Sequence, residues 1–350
     1  MLIKSTTLSY PLAIILSNGK KNFENIGRSI GRAGRSIARM MQSYKRIRSI
    51  LKDICQSLFS GIKKLFIIFD ETLIKKIYAD VARGSGVFYD PGAGREVHGY
   101  RIVTALLSDG STHIPLDADF IFAAYITKRS KTKALSKTEL AKKFYLYATK
   151  LFPETEFFLI ADGHYSTYEM LQWSIERKIK VEMRMHKNRK VMYKRGYIAL
   201  TELLELPKIR PTKRRPTRTI RIRWKGLVLW ITIVRRENKH GEESFVFQVA
   251  TYKAEPRVHR ANYKRRWKIE EKYRTTKQSL GLGDCQSKKF AKQRGHVMSV
   301  LLAYAIAQLV KRKYRLKNSE EAIRRLREEC AWLEFLECVE LVGSLMSSLT

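Results

Sequence analysis

The stretch LFIIFD, residues 65–70, is a continuous apolar run that ends in the carboxylate of Asp70. The stretch FFLIAD, residues 157–162, repeats this pattern and ends in Asp162. Five apolar residues in a row are typical of a strand buried on both faces, as in the parallel sheets of α/β proteins. Such sheets bind ligands at the carboxyl ends of their strands. We therefore predict an α/β fold in which the two aspartates lie side by side.

Each aspartate also has a purely structural interpretation, because a carboxylate after a strand often caps the turn or helix that follows. The pair is more informative than either residue alone. Two carboxylates a few ångströms apart cannot both stay ionised unless a cation is present. Oxygen ligands favour Mg²⁺ or Mn²⁺, so the pair predicts a divalent metal cofactor.

The segments around these two strands continue the alternation of strands and helices. Apolar residues in the segment 137–151 recur at helical spacing, and Pro153 ends that helix. Ser166 or Thr167 is expected to cap a second helix. Further strands are predicted at residues 100–107 and 179–185, and residues 109–122 are predicted to form a turn followed by a strand.

The region 186–256 has a different composition from the rest of the chain. Its segment 208–225 carries nine Lys or Arg residues and no acidic residue, and within it Arg214 and Arg215 are predicted DNA contacts. Short β-branched runs follow at residues 219–224, 227–234 and 245–252. These features predict a small antiparallel β insertion with a basic edge.

The charge of the whole chain indicates a polyanionic partner. The 350 residues include 69 Lys or Arg and 33 Asp or Glu, which gives a formal net charge of +36. Nucleic acid is the first candidate partner, and an acidic membrane surface is the second. Since 44% of the residues are hydrophobic, the chain can build a core, and a disordered protein is excluded.

The basic N-terminal region has the pattern of a small DNA-binding unit. Its arginines recur at helical spacing beside an apolar stripe, and Gly31 and Gly34 interrupt the middle. Two short helices joined by a glycine-containing turn are predicted, as in a helix-turn-helix, and a solvated basic arm is the alternative. The predicted DNA contacts are Arg28, Arg32, Arg35 and Arg39, and the stripe is Ile26, Ile30, Ile37 and Met41.

Several classes of protein are disfavoured by missing motifs. The chain has no GxxxxGK[ST] and no GxGxxG, so ATP-driven and nicotinamide chemistry have no support. Its four cysteines form no CxxC pair, which favours reduced thiols. No run of eighteen apolar residues occurs, and the apolar segment 10–16 is too short for an expected signal peptide. A cytoplasmic, nucleoid-associated protein is expected.

The segment YKRRWKIEEKYRTTK, residues 263–277, combines cations, aromatic residues and a carboxylate. In one continuous helix, Tyr263, Arg266, Glu270 and Lys277 would fall within about 60° of arc and share a stripe. A neighbouring apolar face would pack on a sheet. Basic residues interleaved with aromatic ones suit phosphates and unstacked bases, although a solvated amphipathic helix is the alternative. That apolar face consists of Ile269, Tyr273, Thr276 and Leu280.

The spacing Tyr-x2-Arg-x3-Glu-x6-Lys resembles the YREK signature of bacterial insertion-sequence DDE transposases. The surrounding YKRRWKIEEKY is similar to that group as well. Upstream, FIIFDET resembles the block around the first catalytic aspartate, and LIADGHYSTYEMLQ resembles the block around the second. The resemblance covers roughly residues 60–310.

This resemblance implies a ribonuclease-H-like mixed-sheet core with a β-rich insertion and a helical N-terminal region. Asp70, Asp162 and Glu270 would be the catalytic residues and the ligands of two Mg²⁺ or Mn²⁺ ions. The implied reactions are nicking at the ends of an insertion element and joining of the 3′-hydroxyls to target DNA. The implied divisions are residues 1–58 for DNA binding, 59–185 and 257–315 for the core, 186–256 for the insertion, and 316–350 for a helical tail.

The resemblance also implies which residues contact DNA. Tyr263, Arg266 and Lys277 would contact phosphates near the cleaved end, with Arg265 beside them and Trp267 as a buttress. His164 lies two residues after the second aspartate and has two interpretations. It could assist a proton transfer or contact a phosphate, or it could have only a structural or solvent-facing role. The implied partners are the terminal inverted repeats and target DNA, bound by a homodimer to which residues 322–342 could contribute a helix.

Two other functions fit part of the sequence. A non-catalytic nucleic-acid-binding protein would use the charge alone. A ribonuclease-H-like nuclease would cut DNA without joining it.

Overall fold

The computed structural model describes residues 5–76, 84–123, 135–194 and 196–349. The chain divides into two compact units. The first unit contains residues 1–62, 71–154 and 269–350, and the second contains residues 63–70 and 155–268. One strand and one helix contain residues of both units. The two units are described separately below.

The secondary structure alternates as predicted. In the described residues the strands are β1 (Lys64–Lys75), β2 (Gly86–Asp90), β3 (Arg95–Ser108), β4 (His113–Ile121), β5 (Glu156–Ala161), β6 (Lys180–Met185), β7 (Lys190–Tyr193), β8 (Gly196–Ala199), β9 (Thr217–Trp224), β10 (Leu227–Glu237) and β11 (Glu243–Ala250). The helices are α1 (Ser5–Leu16), α2 (Phe23–Ser29), α3 (Gly34–Met40), α4 (Tyr44–Phe59), α5 (Lys137–Leu151), α6 (Tyr168–Glu176), α7 (Pro256–Lys264), α8 (Trp267–Gln278), α9 (Phe290–Lys313), α10 (Ser319–Glu329) and α11 (Phe335–Leu349).

The second unit is built on a mixed sheet. The beginning of β1 pairs in parallel with β5, and β5 pairs in parallel with β6. The strand order then continues β6-β11-β10-β9-β7-β8 through antiparallel pairs. The basic region therefore forms antiparallel strands, and its three predicted runs correspond to β9, β10 and β11. Parallel pairing buries β5 on both faces, as its apolar run predicts.

The first unit combines a smaller set of strands with most of the helices. The end of β1 lies beside β3, which pairs antiparallel with β2 and β4. The helices α4 and α9 pack against β4, and α1 packs against α9. The 24-residue α9 is buried along most of its length, so it forms the centre of the helical layer. The predicted α/β class with a mixed sheet is confirmed, and the arrangement is consistent with a ribonuclease-H-like core.

The prediction that Asp70 ends its strand is wrong, because β1 continues to Lys75. Beyond Asp70, the side chains of Thr72 and Ile74 are buried, with exposed fractions of 8% and 3%. This alternation suits a strand with one buried face, and β3 supplies the hydrogen-bonding partner. Asp70 therefore lies within a strand, at the point where the parallel partner β5 has ended.

The N-terminal region contains the two predicted short helices, α2 and α3. Gly31, between them, has a φ of +66°, a left-handed conformation that glycine adopts without steric cost. Ile26 and Ile37 are completely buried, and Met41 is 7% exposed. All four predicted DNA-contacting arginines of this region have exposed side chains: Arg28, Arg32, Arg35 and Arg39.

All four cysteines are free and buried. Over the described ranges, no helix combines the length and the apolar character that a membrane span requires.

A buried histidine joins three segments of the first unit. The side chain of His296 in α9 is completely buried. Its Nδ1 accepts a hydrogen bond from the Tyr10 hydroxyl at 2.8 Å, and its Nε2–H donates to the Gly281 carbonyl oxygen at 2.8 Å. The neutral ring satisfies both hydrogen bonds, and complete burial makes the protonated ring costly. Burial accordingly lowers the pKa of His296 from 6.5 to about 4.

We expect His296 to make the protein sensitive to acid. Unfolded histidine binds a proton near pH 6.5, whereas folded His296 stays neutral until about pH 4. The unfolded state therefore binds more protons in this range, and the free energy of unfolding should fall by about 3 kcal/mol as pH drops from 7 to 4. Urea unfolding of wild type and His296→Gln across this range measures the difference. Equal pH dependence in both proteins would contradict the prediction.

Candidate active site

Asp70 lies in β1, and Asp162 directly follows the neighbouring parallel strand β5, both in the second unit. Every residue pair between β1 and β5, from Lys64 with Glu156 to Ile68 with Ile160, differs by 92 residues. Asp70 and Asp162 differ by the same 92 residues and follow the last pair by two positions. Parallel strands lie about 4.8 Å apart, and paired side chains point to the same face. Continued by two positions, this register would align Asp70 with Asp162, and proximity of the two carboxylates stays a prediction.

Asp162 also caps the turn that follows it, which is the structural interpretation given above for a carboxylate after a strand. It precedes a short 3₁₀ turn, Gly163–Tyr165, and its Oδ1 accepts the backbone N–H of His164 at 2.9 Å. A carboxylate has two oxygens and several acceptor positions. Capping therefore leaves Asp162 with acceptor capacity for another ligand.

Arg266 lies directly against Asp70. Its Nη1 is 3.7 Å from Asp70 Oδ2, and both side chains are only partly exposed, 22% and 14% respectively. The neighbouring Arg265 places its guanidinium 4.2 Å from the centre of the Phe66 ring. Phe66 and Asp70 are four residues apart in β1 and share a face of the strand. Two consecutive arginines therefore contact the same strand face.

The prediction of one continuous helix through the signature is wrong at these arginines. Helix α7 ends at Lys264, and α8 begins at Trp267. In between, the N–H groups of Arg265 and Arg266 donate to the carbonyls of residues three positions earlier, Asn262 and Tyr263. Consecutive side chains of a regular helix point about 100° apart. The tighter turn is what lets both arginines reach β1.

A buried polar network attaches α7 to the sheet. Glu182 of β6 is completely buried, and its Oε1 accepts hydrogen bonds from the Tyr252 hydroxyl and from His259 Nδ1, the latter at 2.7 Å. Asn262 donates to the Tyr252 oxygen at 3.0 Å. His259 and Asn262 belong to α7, which also carries Tyr263. The network therefore positions the helix that leads to Arg266.

Sequence reasoning missed Glu182, and the strand gave no signal for it. In KVEMRM the alternation places Glu182 on the same face as Lys180 and Arg184, so the local pattern predicts a solvated polar face rather than a buried glutamate. Burial raises the pKa of Glu182, while the hydrogen bond from His259 opposes that change. The partners come from positions 70 to 80 residues away, so they could not be read from the strand itself.

We expect Glu182→Ala to destabilise the protein strongly. The change leaves the partly buried Tyr252 hydroxyl and the buried His259 ring without their acceptor, and losing one member of a buried ion pair costs about 3–5 kcal/mol. Glu182→Gln keeps an acceptor oxygen and should cost about 1 kcal/mol. Urea unfolding at pH 7 measures both variants. A Glu182→Ala variant as stable as wild type would contradict the positioning role.

Further polar side chains surround the aspartate pair. The register of β5 with β6 places Arg184 beside Asp162, because Ala161 pairs with Met183. The rings of His164 and His186 contact edge to face, with centres 5.6 Å apart. Burial lowers the pKa of His186, and Arg189 adds to this effect. Sequence reasoning singled out His164 but missed Arg184 and His186, whose proximity depends on strand register.

Tyr263 is nearly buried at 7% exposure, and burial raises its pKa. The charges of Arg266, Arg184 and Asp162 act on its hydroxyl. Trp267, by contrast, is 50% exposed, so it presents a large part of its ring to solvent. The side chains of Arg214 and Arg215 in the basic region are exposed as well.

Glu270 and Lys277 belong to the first unit, where both lie on α8. Glu270 is in the first turn and half-buried, and Lys277 is in the last turn and exposed. The apolar face predicted for this helix is buried, including Ile269 and Leu280 with no exposed surface. Proximity of Glu270 to the two aspartates stays a prediction.

The donor set of the pair fits a divalent cation only in part. Asp70 and Asp162 supply hard oxygen ligands on adjacent strands, which is the chemistry that Mg²⁺ and Mn²⁺ prefer. Within the part of the chain that the structure describes, no three His, Cys, Asp or Glu side chains form a group able to hold a metal ion. A complete site therefore needs a further ligand to approach the aspartates.

Comparisons with known proteins identify the family of this domain. A family model described as "Transposase DDE domain" matches residues 62–306. No curated protein matches the chain. The chain is similar to the cryo-EM structure of the piggyBac transposase synaptic complex with hairpin DNA, with 11% identity over 99% of this chain and 72% of that chain. The TM-score is 0.49, and a likeness at that level identifies neither fold nor function. Because the family model spans well over half of the 350 residues, the chain belongs to the family of transposase DDE domains.

Proposed function

We propose that this transposase nicks the ends of an insertion element and joins the 3′-hydroxyls to target DNA, and that it belongs to the bacterial group with the YREK signature. The main support is the register of Asp70 and Asp162, with Arg266 against Asp70, inside a transposase DDE domain. Two carboxylates and an adjacent guanidinium suit a reaction at a phosphodiester. The four signature positions are the further support for the group.

In this proposal, Asp70, Asp162 and Glu270 hold two Mg²⁺ or Mn²⁺ ions. The bound ions would supply an activated attacking oxygen and stabilise the leaving oxygen. The register of β1 with β5 supports placing the two aspartates side by side, and Glu270 would complete the ligand set from the first turn of α8. The number and identity of the ions are part of the proposal.

The remaining side chains of the site would bind and orient the DNA. Arg266 lies 3.7 Å from Asp70, so its guanidinium can contact a phosphate oxygen placed next to the carboxylates. Arg184 is exposed beside Asp162 and can contact the same or a neighbouring phosphate. The Glu182 network holds α7, which fixes Tyr263 and the turn that carries Arg266.

Strand joining is the observation that tests this function. The protein is incubated with Mg²⁺, DNA that carries the terminal repeats, and a target plasmid. Joined products support the transposase, and cleavage without joining supports a nuclease. Neither product, with DNA binding retained, supports a non-catalytic binding protein or an inactive copy. Short inverted repeats in the DNA that flanks the coding region would supply the substrate sequence.

Cutting two ends together calls for two copies of the active site, so we propose a homodimer on paired ends. Sedimentation of the protein with and without terminal-repeat DNA tests this part. A single protein chain on each joined pair of ends would contradict it.

A further inference from the structure

A groove in the first unit gathers lysines that are far apart in the sequence. It has a volume of about 610 Å³. Among the described residues that line it, there are five lysines and one carboxylate, Asp284, so the formal net charge of the lining is +4. The lysines are Lys20, Lys75, Lys76, Lys277 and Lys288.

Two of the lysines have structural partners. The Lys76 amine donates hydrogen bonds to the carbonyls of Gly283 and Cys285 at 2.7 and 2.6 Å, and the side chain is almost buried. Lys76 therefore stabilises the part of the groove wall that contains Gly283 and Cys285. Lys75 forms an ion pair with Asp90, which satisfies part of its charge.

The other three lysines are exposed and come from three separate segments. Lys20 follows α1, Lys277 lies in the last turn of α8, and Lys288 precedes α9. The lining carboxylate of Asp284 is engaged, since it accepts the backbone N–H of Lys21 at 2.6 Å. The ammonium groups of these three lysines are therefore accessible from solvent.

The beginning of α9 adds to this positive potential. The side chain of its N-cap residue, Lys289, makes no capping hydrogen bond, and its first turn contains no acidic residue. A helix N-terminus attracts anions through its first N–H groups and the helix dipole. Lys288 lies two residues before this helix, and Gln293 of its first turns also lines the groove.

We propose that this groove binds the sugar–phosphate backbone of duplex DNA through Lys20, Lys277 and Lys288. The proposal rests on the proposed function. It adds Lys20 and Lys288 to the DNA contact already predicted for Lys277, and it locates this contact in the groove. Flexible cations on three separate segments, spread over an open groove, suit an extended polyanion better than one small anion. Lysine contacts of this kind read no base, so binding is expected to be independent of sequence.

The test is a triple variant, Lys20→Gln, Lys277→Gln and Lys288→Gln, titrated with a fluorescent duplex of about 30 base pairs at roughly 50 to 200 mM salt. Each lost phosphate contact lowers the slope of log K against log salt by about 0.9. We expect the slope to fall by about 2 to 3 and the affinity to fall by about 10- to 100-fold.

The matched control removes the same charge elsewhere in the unit, through Lys150→Gln, Lys313→Gln and Lys317→Gln, which are exposed side chains outside the groove. A second triple variant, with arginine at positions 20, 277 and 288, should bind as wild type does. Thermal unfolding confirms that each variant is folded. Equal affinity and slope in the groove variant and the control variant would overturn the proposal, and so would failure of the arginine variant to bind.

The result separates this proposal from the proposed function. If wild type joins DNA but the groove variant binds like the control, the groove proposal fails and the transposase function stands. If the groove variant loses affinity and wild type never cuts or joins DNA, the groove is a DNA site of a protein without the proposed activity.

Discussion

Asp162→Asn is expected to slow DNA cleavage by at least about 10³-fold while DNA binding stays within about twofold of wild type. The change removes one negative charge and one metal ligand from the aspartate pair. It keeps the fold, because asparagine caps a turn as well as aspartate does and its Oδ1 can still accept the His164 N–H. Cleavage of labelled terminal-repeat DNA in Mg²⁺ measures the rate, and fluorescence anisotropy measures binding.

The control for Asp162→Asn is Glu169→Gln, which removes the same charge from an exposed position in the first turn of α6. This control should cleave at the wild-type rate. Thermal unfolding with Mn²⁺ gives a readout besides activity, because a cation that binds the folded state raises its stability. Wild type and Glu169→Gln should gain stability with Mn²⁺, and Asp162→Asn should gain less. Normal cleavage by Asp162→Asn would contradict the assignment of Asp162 as a catalytic residue and metal ligand.

Glu270→Gln is the second change with a large expected effect, again at least about 10³-fold on cleavage with DNA binding retained. Glutamine has the same shape and remains suited to a helix, so the change acts on charge alone. Glu271→Gln is a closely matched control, because the next residue of a helix points about 100° away. Both glutamates are half-buried residues in the first turns of α8. We expect Glu271→Gln to retain most of the activity.

The comparison of the two glutamates is decisive because Glu270 and the aspartates belong to different units. If Glu270→Gln cleaves normally, the third ligand lies elsewhere. If both variants lose activity equally, the loss reflects the helix and not a specific carboxylate.

Elements with local signals were predicted closely. Helix α5 occupies Lys137–Leu151 as expected, because Ser136 and Glu139 form a capping box at its start and Pro153 follows its end. Thr167 caps α6, and it is one of the two residues predicted to cap this helix. Each signal acts over a few residues, so the sequence contains all of the information.

Elements that depend on a distant partner were predicted less well. The extension of β1 past Asp70 needs β3 as its neighbour, and the break between α7 and α8 brings Arg265 and Arg266 to the strand that contains Phe66 and Asp70. The Glu182 network joins β6 to residues on α7 and after β11. No local pattern of hydropathy encodes these contacts.

By itself, the amino-acid sequence determined the charge, the buried strands, the basic β region and the signature residues, since hydropathy and local hydrogen bonding are set by neighbours in the chain. Only the tertiary structure decided that β1 pairs with β5 in the register that joins Ile68 to Ile160, and that lysines from three segments line one groove. Register and grooves arise from packing between residues far apart in the chain, where many pairings satisfy the same local pattern and the whole core selects one of them.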